Sequence, residues 1–316
     1  MKTTGNMPTL TRRGLVLSGL AAGVVVPGRR LFAAPERQTL GRAATWSYQL
    51  QGDVSGLMRV NTDLAVVDWD HIKGRWPLDT LRRTPSGERR ALVAYLSIGE
   101  AESWRPYWRA CCAAEPKPTW LTETTQGWAD NFVVRYWDAG WQQIVFQQLD
   151  QIIAAGFDGI YLDRADSYEA FADDRPSARR EMIDFIVSLS RAAKAQSPNF
   201  AVIMQNAEEL LTDRDLLAAI DGVAKEDLLH GNGHRPDRNA PDTIRQSIAH
   251  LRRARAAGKP VLVVEYLPAG EVADTVKAEI AALGFVPLTT ERSLSISDGD
   301  QAGIDAHVGR TAEAAD

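Results

Sequence analysis

Short apolar runs rich in β-branched and aliphatic residues recur along the chain, and stretches with helical spacing lie between most of them. Eight runs stand out: 45–50 (TWSYQL), 64–68 (LAVVD), 91–98 (ALVAYLSI), 159–163 (GIYLD), 200–205 (FAVIMQ), 222–226 (GVAKE), 260–266 (PVLVVEY) and 285–288 (FVPL). Their length and composition predict buried strands. Trp141, Ile144, Val145, Leu149, Ile152 and Ile153 keep a 3.6-residue apolar stripe that stops at Gly156. Met182, Ile186 and Leu189 repeat it before Pro198, and Val272, Val276, Ile280 and Leu283 end at Gly284. Ile244, Ile248 and Leu251 follow a predicted Asp242 cap and end at Gly258. This alternation predicts right-handed βαβ units and a parallel (β/α)8 TIM barrel over 45–292. A doubly wound open sheet is the alternative, and the chain lacks the Gly-rich loop that such nucleotide-binding sheets carry after the first strand.

The alternation fades at both ends. No helical stretch separates the first two runs, so reduced outer helices are expected near the closure, and the polar 293–316 is expected to be a partly disordered tail. At the other end, Arg12-Arg13 precede an apolar run from Gly14 to Val26, followed by Pro27 and Ala33-Ala34. Residues 1–33 read as a twin-arginine-type signal cleaved near Ala33, which implies a periplasmic or extracellular protein with no stable membrane partner. A membrane anchor or a disordered extension competes, although a spanning helix needs roughly 20 apolar residues.

Charge and cysteine usage then narrow the partners. The chain of 316 residues is 45% hydrophobic, enough for one large barrel core. Its formal −5 becomes −10 once the five positive charges of residues 1–33 are removed. No nucleic-acid partner is expected, since phosphate binding needs a basic face. Cys111 and Cys112 are adjacent, and because vicinal disulfides are uncommon the pair is expected as two thiols. They are too few for a structural metal site, and only His230 and His234 among five scattered histidines are neighbours. With no phosphate loop, GxSxG elbow or HExxH, no cofactor is expected.

Acidic residues end several runs: Asp68 after AVV, Glu100 after LSIG, Asp163 after IYL and Glu226 after VAK, with Glu265 inside VLVVEY. The C-terminal ends of barrel strands converge on one mouth, which carries the active site. Carboxyls crowded there raise one another's pKa, so one can stay protonated while another stays ionised. Two such groups flanking a glycosidic bond are the minimum machinery for its hydrolysis. Asp163 stands out because Arg164, Asp166 and Tyr168 follow it, a polar cluster suited to a sugar. Glu226 stands out because Lys225-Glu226-Asp227 breaks an apolar strand where a loop should begin. Taken singly, each acid reads equally as a surface group or helix cap. Six of the nine tryptophans (Trp104, Trp108, Trp120, Trp128, Trp137, Trp141) lie between the third and fourth runs. They either stack on sugar C–H faces or pack the loop onto the barrel, and Trp141, on the helix stripe, belongs to the core.

The segments 92–105 (LVAYLSIGEAESWR), 156–169 (GFDGIYLDRADSYE), 204–210 (MQNAEEL), 223–229 (VAKEDLL) and 264–267 (VEYL) resemble glycoside hydrolase family 114, typified by endo-α-1,4-polygalactosaminidase. The resemblance spans about 46–292. It implies a (β/α)8 barrel acting on an α-linked, galactosamine-containing polymer, with Asp163 and Glu226 as the catalytic pair. A similarity to α-galactosidase-type barrels implies Asp163 as nucleophile and Glu226 as general acid/base in a retaining reaction. Tyr48, Asp68, Tyr95, Glu100, Arg164, Gln205, Glu265 and Tyr266 become candidates for binding the sugar. Two other readings of the same residues remain: a carbohydrate-binding barrel without turnover, and a phosphodiesterase holding a divalent cation on Glu100, Asp163 and Glu226.

Overall fold

The computed structural model describes residue 40 and residues 43–113, 115–125, 127–231 and 237–294. The expected signal (1–33), His234 and the tail from 295 onward lie outside the described residues.

Eight parallel strands form the central sheet: β1 (Trp46–Gln49), β2 (Leu64–Asp68), β3 (Ala91–Ser97), β7 (Gly159–Asp163), β8 (Ala201–Gln205), β9 (Gly222–Glu226), β10 (Val261–Glu265) and β11 (Val286–Thr289). They pair in chain order, without the reversal that an open doubly wound sheet requires, and curl into a nearly closed TIM barrel. At the seam between β1 and β11, the Trp46 indole donates to the Val286 carbonyl at 3.2 Å.

The pleat explains the two cores. Trp46, Tyr48, Leu64, Val66, Val93, Tyr161, Ile203, Ala224 and Val264 fill the barrel interior. Their neighbours one residue away, such as Ala65, Val67, Leu92, Ile160, Leu162, Val223 and Val263, face the helix layer. Strands buried on both faces read as continuous apolar runs.

The helix layer matches the expected stripes. α4 (Ala139–Ala155) ends at Gly156, whose φ of 95° suits a residue without a side chain. α5 (Ala178–Gln196), α7 (Pro241–Ala256) and α8 (Glu271–Ala282) follow β7, β9 and β10. Asp242 is not the α7 cap: Ala240 is, with Pro241 opening the helix and Asp242 in its first turn paired with Arg245. The helices are indeed reduced at the start, where only a 3-10 turn, Val54–Arg59, joins β1 to β2. Between β2 and β3 lie two four-residue helices, α1 (Trp69–Ile72) and α2 (Leu78–Leu81).

The β3–β7 connection, expected as a long loop, folds a second sheet. β4 (Glu100–Glu102), β6 (Asn131–Val134) and β5 (Leu121–Thr124) pair antiparallel in that order. The tryptophans there divide. Trp120 and Trp141 are buried, Trp108 and Trp137 pack against the core, and Trp104 and Trp128 are more than half exposed. Cys111 and Cys112, expected as two thiols, are instead joined in a disulfide where α3 (Trp108–Cys111) ends. The chain leaves helical geometry at Cys112 (φ −129°, ψ −8°), and Cys112 is fully buried.

Candidate active site

Strand parity aims the site. Asp163, Gln205, Glu226 and Tyr266 each lie two residues beyond an inward-facing residue: Tyr161, Ile203, Ala224 and Val264. They therefore project into the lumen at the C-terminal ends of β7 to β10, with Tyr48 and Tyr95 on β1 and β3. Glu265 has the opposite parity. It shares the outward row of Val261 and Val263, is fully buried, and accepts from the backbone N–H groups of Leu229 (2.7 Å) and His230 (3.0 Å). Its carboxylate is committed to shaping the loop after β9 rather than opening to the mouth.

Asp163 and Glu226 each carry two donors. Asp163 Oδ2 accepts from the Tyr95 hydroxyl at 2.6 Å, and Oδ1 from the Arg164 backbone N–H at 2.7 Å. Glu226 Oε1 accepts from the Tyr266 hydroxyl, and Oε2 from Asn206 Nδ2 at 3.1 Å. Asn206 Oδ1 in turn accepts from the Glu226 N–H at 3.1 Å, so both ends of that residue are fixed by one amide. Below the pair, the Tyr48 hydroxyl donates to Gln205 Oε1 at 3.2 Å, and the Trp46, Tyr48 and Tyr161 rings stack on one another.

Electrostatics tie the two carboxyls together. Burial first, and the Glu226 charge second, push Asp163 up to about 7, against the Tyr95 hydrogen bond and the Arg164 cation, which lower it. Near neutrality Asp163 is therefore only partly ionised, and the Glu226 charge contributes to that raised proton affinity. Burial holds the hydroxyls of Tyr48, Tyr95, Tyr161 and Tyr266 well above their ordinary range, so all four remain donors.

Glu100 and Asp68 support the site from one side. Glu100 is buried on β4, accepts from Thr125 Oγ1 (2.9 Å) and Asn131 Nδ2 (3.0 Å), and lies 2.9 Å from Arg164 Nε. It ties the second sheet to the residue after Asp163. Those partners leave it outside any trio with Asp163 and Glu226, and among the described residues no three His, Cys, Asp or Glu side chains gather in a metal-holding group. Asp68 caps α1 and accepts from Arg105 Nη1 at 2.7 Å. Arg105 also holds Asp70 (3.2 Å) and Glu102 (2.6 Å) and lies 5.7 Å from the Tyr95 ring.

Three contributors were not foreseen: Asn206, Arg105 and Tyr161, whose buried hydroxyl has no hydrogen-bond partner among the described residues. Asn206 was within reach, as the polar residue after the fifth strand; the others need coordinates. A further signature is conformational. Arg164, Asn206 and Asp227, each following a strand end in the site, take positive φ (62°, 57° and 52°) without being glycine. Such strain concentrates at functional sites.

Comparison with known proteins identifies the family and agrees with the fold. The model of glycoside-hydrolase family GH114 matches residues 29–310. A Deinococcus radiodurans protein with no functional name is 37% identical over 266 residues, 82% of this chain and 84% of its own. A Thermotoga maritima protein is 33% identical over 71% of each chain. In fold, the chain is similar to the glycoside hydrolase domain of PelA from Pseudomonas aeruginosa (TM-score 0.61, 22% identity, 80% of this chain and 95% of that one). It is also similar to Aspergillus fumigatus Ega3, solved with galactosamine (TM-score 0.59, 19% identity, 83% and 96%). The chain belongs to glycoside-hydrolase family GH114 and is a glycoside hydrolase.

Proposed function

We propose that the enzyme cleaves an α-linked, galactosamine-containing polysaccharide, with Asp163 and Glu226 as its catalytic pair in a retaining reaction. The observation that carries this is a pair of lumen carboxyls at the C-terminal ends of β7 and β9, each held by a tyrosine hydroxyl and a second donor, with the Glu226 charge raising the proton affinity of Asp163. In this reading Asp163 attacks the anomeric carbon while Glu226 protonates the leaving oxygen and then deprotonates water. The positive charge that develops on the sugar favours the ionised form of Asp163, the form that attacks. The exchanged assignment has one observation in its favour, the raised proton affinity of Asp163 in the free site. The galactosamine held by Ega3 supports the substrate class.

The test incubates the enzyme without residues 1–33, and its Asp163→Asn and Glu226→Gln variants, with α-1,4-galactosamine polymers. The parent should release oligosaccharides and both variants should lose the activity; release by both variants sinks the pair, and binding without turnover by the parent marks a carbohydrate-binding barrel. Azide rescue separates the roles. A glycosyl azide of inverted configuration from Asp163→Ala, and of retained configuration from Glu226→Ala, identifies Asp163 as nucleophile.

Export by the twin-arginine route completes the reading. Its support is Arg12-Arg13 ahead of a short apolar run. Replacing both arginines by lysine should leave the full-length protein in the cytoplasm; unchanged export refutes that route.

A further inference from the structure

Beyond β11 the chain crosses the seam of the barrel. Thr290 N–H donates to the Glu265 carbonyl at 3.2 Å, and the Leu294 carbonyl accepts from Leu50 N–H (3.0 Å) and Gln51 N–H (3.4 Å) just past β1. Residues 290–294 thus form a strap at the mouth between the last strands and the first. Arg292 rides on it. Its guanidinium carbon lies 4.1 Å from the Tyr266 ring centroid, and Nη2 donates to both Asp227 carboxylate oxygens, at 3.0 and 2.9 Å.

Those two contacts bracket a catalytic carboxyl. The Tyr266 hydroxyl donates to Glu226 Oε1, and Asp227 is the next residue after Glu226, in a left-handed conformation with its N–H on the Val264 carbonyl at 3.0 Å. We propose that Arg292 is a positioning residue that aims the Tyr266 hydroxyl at Glu226 and holds Asp227 so that the Glu226 carboxyl keeps one orientation. A cation over an aromatic face restrains the ring, and a charge-assisted bond to a carboxylate restrains the backbone that bears it. Space around Asp227 is tight: a Cβ on Gly231 would come within 2.8 Å of Asp227 Cγ, so the carboxylate has a built seat. The strap's own fastening, through the Leu294 carbonyl, does not use the Arg292 side chain.

The inference rests on Glu226 being a catalytic carboxyl, and its test separates the two ideas. Arg292→Met keeps the aliphatic stem and loses the charge. Its kcat should fall about tenfold or more with KM within about twofold, because misaiming a catalytic group acts on the transition state. Arg292→Lys, which keeps a cation for both partners, should recover most of the loss. Tyr266→Phe should fall comparably, and the double variant should lose less than the product of the two single losses, since part of what Arg292 does passes through the Tyr266 hydrogen bond. A crystal structure of Arg292→Met should show the Tyr266 hydroxyl off Glu226. Unchanged kcat, Lys as impaired as Met, additive losses in the double variant, or Tyr266 still bonded to Glu226 in that structure each overturn the proposal. A parent enzyme inactive on every amino-sugar polymer defeats the functional reading instead, and the position of Tyr266 in the variant still decides the role of Arg292.

Discussion

The Tyr95 hydroxyl lies 2.6 Å from Asp163 Oδ2, although strand register sets Tyr95 level with Tyr161, one pleat below the carboxyl it serves. The phenol reaches up to the site from the adjacent strand. Its direction is fixed from the side by Arg105, itself pinned between Asp68, Asp70 and Glu102. A buried salt-bridge cluster thereby sets the orientation of one donor to one carboxyl, and that donor opposes the burial and the Glu226 charge that raise Asp163.

Tyr95→Phe removes this opposition while preserving the packed ring. The proton affinity of Asp163 should then rise beyond about 7, so the limb of the pH–rate profile that reports its ionisation moves to higher pH. kcat should fall by about tenfold to a hundredfold, the usual consequence of losing a preorganised charge-assisted donor. A profile that stays in place with full activity would show that the bond does not matter.

Asp163 should also cost the fold stability as pH rises. Its folded pKa of about 7 stands above the unfolded value near 3.8, so its contribution is intact below about pH 4 and is lost as pH climbs through 7. Asp163→Asn lacks that loss. The variant and the parent should melt together near pH 4. By pH 8 the variant should be more stable by on the order of 2–4 kcal/mol, since each tenfold change in proton affinity is worth about 1.4 kcal/mol. Glu265, also pushed up to about 7, weakens both proteins over the same window and cancels from the comparison. Parallel melting curves across the whole range would refute this.

The barrel was legible because its strands are buried on both faces, and unbroken apolar runs such as AVV, IYL and VLVV announce that environment at any position. Asp163 and Glu226 stood out as candidates because a carboxyl at the end of such a run has no apolar reason to be there. Parity was the signal left unread. Glu265 and Tyr266 are adjacent, a strand sends adjacent residues to opposite faces, and counting by two from Val264 admits only Tyr266 to the lumen. β4 to β6 were hidden for another reason. Their strands are three or four residues long, and the exposed half of the second sheet shows no apolar run.

Tyr161 offers a case in which stability and activity should part. Its hydroxyl is buried with no protein partner among the described residues, within reach of the Glu226 and Asp163 charges. An unmet buried hydroxyl costs about 1–3 kcal/mol. Tyr161→Phe should therefore raise the unfolding free energy by a comparable amount and leave kcat/KM within about twofold, because a hydroxyl shut off from the mouth touches no bound sugar. A loss of about tenfold in kcat/KM would show that the hydroxyl does reach the substrate.

Gly99 joins β3 to β4 where the second sheet meets the residue after Asp163. A Cβ at Gly99 would lie 2.5 Å from Ser167 Cβ and closer still to the Arg164 carbonyl oxygen. The carbonyl is backbone, so it can yield only if the Arg164–Ser167 turn moves, and that turn carries the N–H that Asp163 Oδ1 accepts. Gly99→Ala should cost about 1–3 kcal/mol, the range for overpacking a filled site, and should lower kcat by about tenfold or more as Asp163 loses its donor. Adding Ser167→Ala should not restore either quantity, because the carbonyl clash survives it. Urea unfolding and kcat measured on the same preparations decide the matter: full rescue by Ser167→Ala would place the conflict in a side chain and free the Arg164 turn from any part in holding Asp163.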